Sequence, residues 1–232
     1  MNSERLPGKV MMKIGGKPLI EILINRLKES GIPILLATSA NKENDCLVDF
    51  VENLGVKTYR GSENNVLERY YLAAKNVNAD LIIRATGDNP LMDGNIIKDA
   101  YSFYLAQQNK RLFLSIGLSQ TFPLGISSSY FLFNLLEEAY NKATLPGEFE
   151  HVTPYLINNE PGNITVKPFA GKMKKYDYRL TVDTSEDFKL HKILIEKYGC
   201  DKMNIYDIIK VLDNNPEIAN LNRQVKQKKW DE

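Results

Sequence analysis

Short apolar runs alternate along this chain with longer stretches of helical period, the pattern of a sheet wound by βα units. Residues 20–28 carry Ile20, Leu23, Ile24 and Leu27 on one helical face. Residues 33–38 read as a buried strand, and Val48, Val51 and Leu54 mark a second helix that Gly55 can close. A short strand over 56–59 and a helix over 66–77 follow. Residues 80–85 are nearly continuous in apolar side chains, as expected of a parallel strand covered on both faces. The second half predicts helices over 94–107, 130–143, 148–158, 186–198 and 205–213, with strands over 111–116, 163–169 and 178–182. Turns fall at Pro161-Gly162-Asn163 and over 170–175. No internal repeat or linker interrupts the pattern, so residues 1–232 are expected to form one domain.

Composition narrows the class without naming a chemistry. A chain of 232 residues with 43% hydrophobic and 25% charged residues has the make-up of a soluble globular protein. A net charge of +1 gives no electrostatic reason to expect nucleic acid or an anionic membrane as partner. The one basic run, Arg223-Gln224-Val225-Lys226-Gln227-Lys228-Lys229, reads as a solvated, frayed end rather than a polyanion contact. Cys46 and Cys200 lie far apart without metal-ligand spacing, as befits reduced thiols in a cytoplasmic protein. No apolar run approaches the roughly 20 residues of a membrane span, and no signal-type segment opens the chain.

Chemistry concentrates in a few segments. The opening Ser3-Glu4-Arg5-Leu6-Pro7-Gly8-Lys9, with Gly15-Gly16-Lys17 close behind, joins cations to glycines whose backbone N–H groups can turn toward an anion. Read without its neighbours, it is equally an exposed basic terminus. Asp88, in Arg84-Ala85-Thr86-Gly87-Asp88-Asn89-Pro90, follows the strongest strand, where open α/β sheets bind ligands. Asp93 is the better cap for the next helix, which leaves Asp88 available for a hard cation such as Mg²⁺ beside phosphates. Asp183 likewise ends a strand, and Thr184 or Ser185 with Asp187 can cap the helix beyond it. Two carboxylates at two strand ends could share one Mg²⁺. His151, one of two histidines, reads by itself as a packed or hydrogen-bonded residue.

Taken in order, the segments RLPGK, GKPLIE, ATS, GSENNVLERY, RATGDNPLMD, FPLGI, EHVTPY and TVDTSEDF resemble the cytidylyltransferase family. The similarity is to its spore-coat polysaccharide branch, related to the enzymes that make CMP-Kdo and CMP-sialic acid. The resemblance implies a GT-A-like, Rossmann-like nucleotidyltransferase fold, a three-layer α/β/α sandwich around a mixed, mostly parallel sheet. It also implies Mg²⁺-dependent transfer of CMP from CTP to a sugar or sugar acid, with release of pyrophosphate, for surface glycan synthesis. On that mapping Ser3, Arg5, Gly8 and Lys9 hold the triphosphate with help from Lys17. Thr38 and Ser39 lie beside the cytosine, and Arg69 and Thr86 near base and ribose. Asp88 and Asp183 hold Mg²⁺, Glu150 and His151 face the acceptor, and the protein can be a homodimer.

Three positions depart from the family pattern. Family members carry a strand and Ala-Arg before the Met-x-Ser at which this chain starts, so Met1 is expected to be an internal methionine of a protein that extends upstream. Ser127, Ser128 and Ser129 stand where the branch has acids, which opens the identity of the acceptor; Phe149 stands where it has Arg, which implies either a less anionic acceptor or a site no longer used. Two other readings compete. One is a sugar-1-phosphate nucleotidylyltransferase or GT-A glycosyltransferase, although the longer Gly-rich loop of the former and the Asp-x-Asp of the latter are absent. The other is a nucleotide-binding protein with impaired catalysis.

Overall fold

The computed structural model describes residues 5–158, 162–171 and 177–227. Its first elements are a small antiparallel hairpin, β1 (Lys13–Ile14) and β2 (Lys17–Pro18), leading directly into α1 (Leu19–Lys28). The chain then alternates through β3 (Leu35–Ser39), α2 (Asp45–Asn53), β4 (Lys57–Gly61), α3 (Val66–Asn76), β5 (Leu81–Arg84) and α4 (Gly94–Ala106). Next come β6 (Leu112–Ser115), β7 (Ser129–Leu132), α5 (Phe133–Lys142), α6 (Pro146–His151), α7 (Pro154–Asn158) and β8 (Thr165–Pro168). Helices α8 (Ser185–Glu196), α9 (Ile205–Asn214) and α10 (Pro216–Ala219) close the described fold. None of the described helices is long and apolar enough to cross a membrane.

β3 and β4 pair in parallel. A four-stranded sheet runs β5-β7-β6-β8; β6 and β8 are parallel, and β7 is antiparallel to β5 and β6. The sheet is therefore mixed, with β7 the reversed strand. Alternation along the strands divides the core into two layers, because successive strand residues face opposite ways. Leu112, Leu114 and Tyr130 join one apolar layer with α1, α4, α8 and α9. Ile82, Phe113 and Phe131 join the other with α3 and α5. Arg26 of α1 is the buried tie between distant segments. Its guanidinium donates to the carbonyls of Met92 at 2.8 Å, Met203 at 2.9 Å, Asp201 at 3.0 Å and Leu91 at 3.2 Å.

Four expectations change. Residues 129–132 form a strand rather than the first turn of a helix, because β7 passes into α5 with no loop between them and the two periodicities merge. The helix expected over 148–158 is broken at Val152, whose φ of 68° ends α6 before Pro154 starts α7. Residues 178–182 make one parallel bridge, Leu124 to Arg179, instead of a strand. β5 has an antiparallel partner in β7, and its Leu81 and Ile83 are half-buried where full coverage was expected. The described part of the basic run is also not frayed, since Arg179 donates to Gln227 Oε1 at 2.5 Å and Arg5 to the Lys226 carbonyl at 3.4 Å.

Candidate active site

The opening loop turns at Gly8, whose φ of 68° suits a residue without Cβ, and enters a 3-10 turn at Lys9–Met11. That turn delivers the Lys9 ammonium into the middle of the site. Lys9 Nζ donates to the Val182 carbonyl at 2.7 Å and Asp183 Oδ1 at 2.8 Å, and lies 3.5 Å from Asp88 Oδ2. One cation thus reaches both carboxylates singled out in the sequence. Asp88 sits just past β5 and accepts from Thr86 Oγ1 at 2.6 Å; Asn89 in turn donates to Thr86 at 2.9 Å. The Asp88 carbonyl receives the Val182 N–H at 2.8 Å, so the two acid-bearing segments are joined through their backbones.

Asp183 is held by a network that the spacing of acids only half reveals. The Thr184 side chain accepts from the Asp187 N–H, and the Asp187 carboxylate accepts from the Asp183 and Thr184 N–H groups at 2.9 and 3.0 Å. This is the expected capping box. Arg179 donates to Asp187 at 2.8 Å and to Asp183 at 2.7 Å, while buried Asn222 donates to Asp187 at 2.8 Å. Arg5 adds a third cation to Asp183 at 3.0 Å. Burial works against the charge on Asp183, but Lys9, Arg5 and Arg179 outweigh it and hold this carboxyl below its ordinary pKa. Burial likewise opposes ionisation of Asp187, and Arg179, the Asp183 N–H and Asn222 reverse the balance.

Among the described residues, no group of three or more His, Cys, Asp or Glu side chains could hold a metal. Two carboxylates within reach of one cation still fit Mg²⁺, which keeps several waters and takes one or two carboxylates plus substrate phosphates. Asp88 and Asp183 would hold it.

The remaining sequence-predicted residues fall in three places. Thr38 and Ser39 are buried at the end of β3, with Ser39 Oγ accepting from Asn44 at 2.7 Å. Arg69 of α3 donates to the Ser62 carbonyl, and its buried Nε has no partner among the described residues; burial lowers its pKa. Glu150 is exposed on α6, whereas His151 lines a pocket of about 150 Å³ with Arg84, Thr153 and Pro154. Lys17 is exposed on the β1–β2 hairpin, and no hydrogen bond joins it to the Lys9 group among the described residues. Ser3 lies outside the described residues.

Sequence reasoning passed over Arg179, Asp187 as a positioning acid, Asn222, and Arg84. Arg179 and Asp187 lie four residues either side of Asp183, a spacing that could have flagged them. Arg84 has a buried Nε without a partner among the described residues, lies 5.8 Å from the Tyr70 ring centre, and shares a pocket with His151, 67 residues on in sequence. Phe149, by contrast, packs into the core layer beneath α3 and α5.

An α/β fold in which an acid beyond β5 and an acid ahead of α8 meet two cations is that of a nucleotidyltransferase. The chain belongs to the cytidylyltransferase family, whose model matches residues 1–229. An uncharacterized protein of Methanocaldococcus jannaschii is 39% identical, covering 99% of this chain and 94% of its own length. The spore coat polysaccharide biosynthesis protein SpsF of Bacillus subtilis is 31% identical, covering 94% and 93%. A cytidylyltransferase structure from Leptospira borgpetersenii superimposes with a TM-score of 0.87 at 31% identity, covering 99% of this chain and 95% of that one.

Proposed function

We propose that this enzyme transfers the cytidylyl group of CTP to a hydroxyl of a sugar or sugar acid, releasing pyrophosphate, in the cytoplasmic supply of a surface polysaccharide. The observation that supports this reading is Lys9 meeting Asp88 and Asp183, one cation with two carboxylates at one point. Arg5, Lys9 and the Gly8 backbone hold the triphosphate, with Ser3 and Lys17 completing its grip. Thr38 and Ser39 border the cytosine; Arg69 and Thr86 border the base and ribose. Bound Mg²⁺ would neutralise phosphate charge beside Asp88 and Asp183. The acceptor oxygen attacks the α-phosphorus, the bond from that phosphorus to the bridging oxygen breaks, and pyrophosphate leaves. Such chemistry asks for positioning and charge neutralisation more than for a strong nucleophile.

The acceptor lies toward Glu150, His151 and Arg84. Arg84 supplies a guanidinium to the pocket that His151 lines, so an acceptor carboxylate there has a partner although Phe149 stands in place of the family's arginine. Ser129 is paired with Arg84 across β7 and β5, so the serine run leads into the strand beside the one that carries Arg84. The test is pyrophosphate release from each of the four NTPs with Mg²⁺ against a panel of sugars and sugar acids. CTP-selective release with one acceptor class is expected. Equal release from all four NTPs, or CTP binding without release from any acceptor, would overturn the reading.

A further inference from the structure

The turn that follows α10 reaches the opening loop from 221 residues away in sequence. Its root is Asn222, a buried side chain whose Nδ2 donates to the Arg179 carbonyl at 3.0 Å and to Asp187 Oδ1 at 2.8 Å. The Asn222 carbonyl accepts from the Val225 N–H at 3.0 Å and closes the turn. Just beyond, the Lys226 carbonyl accepts from Arg5 Nη1 at 3.4 Å, and Gln227 Oε1 accepts from Arg179 Nη1 at 2.5 Å. One short turn thus touches the opening loop, the segment ahead of Asp183 and the first turn of α8.

The two oxygens of Asp183 keep different company. Oδ1 meets Lys9, the cation that also reaches Asp88. Oδ2 is shared by two guanidiniums, Arg179 Nη2 at 2.7 Å and Arg5 Nη2 at 3.0 Å. A guanidinium with a single acceptor can pivot about it, whereas a second acceptor on another N–H fixes its plane. Asp187 and Gln227 supply that second hold for Arg179, and the Lys226 carbonyl supplies it for Arg5. Two cations on one oxygen also repel each other, and the burial of Arg179 and Asp183 weakens the screening by water. An amide and a carbonyl oppose that repulsion without adding a charge that would compete with Asp183 for the guanidiniums.

We infer that the turn 222–227 is a working part of the site. Asn222 and Gln227 are positioning residues that act through Arg179 to keep Asp183 Oδ1 toward Lys9, and the Lys226 carbonyl keeps Arg5 beside Asp183. That Arg5 thereby stands ready for the triphosphate rests on the cytidylyl-transfer reading; the hold on Asp183 does not.

The test has two arms. Gln227 is exposed, so Gln227→Met removes the acceptor with little risk to folding. A double-mutant cycle of Gln227→Met with Asp183→Asn, read by urea unfolding, needs no nucleotide. The two effects are expected to be non-additive by about threefold or more in the unfolding constant, because both act on Arg179. In the second arm, calorimetry gives the Kd for CTP with Mg²⁺ and in EDTA, where the cations alone hold the triphosphate. Gln227→Met and Asn222→Asp, which keeps the shape but removes both donated bonds, should each weaken CTP binding in EDTA by roughly three- to tenfold. The acceptor KM should stay near wild type. Additive effects in the cycle would overturn the inference. Non-additivity with CTP binding and turnover unchanged would overturn it too, since the turn would then be only a structural tie. A wild-type chain that binds no CTP in either buffer would remove the cytidylyl-transfer reading, and the cycle would still decide the hold on Asp183.

Discussion

Lys9 lies between two carboxylates because three independent local choices converge: a left-handed Gly8, a tight turn after β5, and a capped α8. The acids differ in setting. Asp183 is buried among Lys9, Arg5 and Arg179, while the Asp88 side chain is 30% exposed. The lowered pKa values of Asp183 and Asp187 make stability depend on pH with a definite sign. A depressed folded-state value gives stability that is present above the unfolded carboxylate value, about 3.9, and is lost as pH falls through the folded value. Thermal unfolding followed from pH 7 downward should therefore show Tm falling most steeply below about pH 4. Asp187→Asn should flatten that acid limb and lower Tm at pH 7; an unchanged acid limb would remove Asp187 from the charged network. Arg84 allows a separate test. Arg84→Gln should raise the acceptor KM by roughly ten- to a hundredfold, the size of a lost charge-assisted hydrogen bond, while leaving the KM for CTP near wild type. Steady-state kinetics with each substrate varied in turn would check this.

At the scale of elements, the segment 178–183 explains why a strand was expected and a strap was found. Its apolar alternation is real, with Leu180 and Val182 buried, but its backbone bonds go to Leu124 and Asp88 instead of to a continuous neighbour. Gly125 makes this crossing possible. With φ at 104°, its Cα faces Leu180 so closely that a Cβ would lie 2.4 Å from the Leu180 carbonyl carbon. Gly125→Ala should push the strap away from Asp88, lowering Tm and reducing pyrophosphate release at least tenfold. Retained activity with an unchanged Tm would show that the strap position does not matter. The same reasoning separates what was legible in the sequence from what was not. α1, α3, α4 and α9 announced themselves because one apolar face at helical spacing suffices to define a helix. β7 hid because it joins α5 without a turn, and the cut after α6 hid because a left-handed Val152 has no compositional signal.

For the whole molecule, two apolar layers enclose the sheet, and their integrity can be read at one thiol. Burial pushes the Cys200 thiol up to about 12, while Cys46 is exposed on α2. One thiol per native chain should react with a chromogenic disulfide reagent, the second only on unfolding. Fast reaction of both would mean that the α1–α8 layer opens readily. The candidate site was legible in the sequence where an acid follows a strand, as at Asp88, or leads into a capped helix, as at Asp183. It was illegible where the fold brings remote residues together, as Arg84 with His151 or Asn222 with Asp187. Long-range pairing leaves no mark in local spacing, so those partners required the structure.

The measurement that bears most directly on this account is Mg²⁺-dependent pyrophosphate release from CTP by Asp88→Asn beside wild type, with Tm recorded for both. The substitution keeps the shape and one acceptor oxygen but removes the charge. With an unchanged Tm, release is expected to fall roughly 100- to 1,000-fold. Near-wild-type release would contradict the assignment of Asp88 and Asp183 as the paired acids at the centre of the reaction.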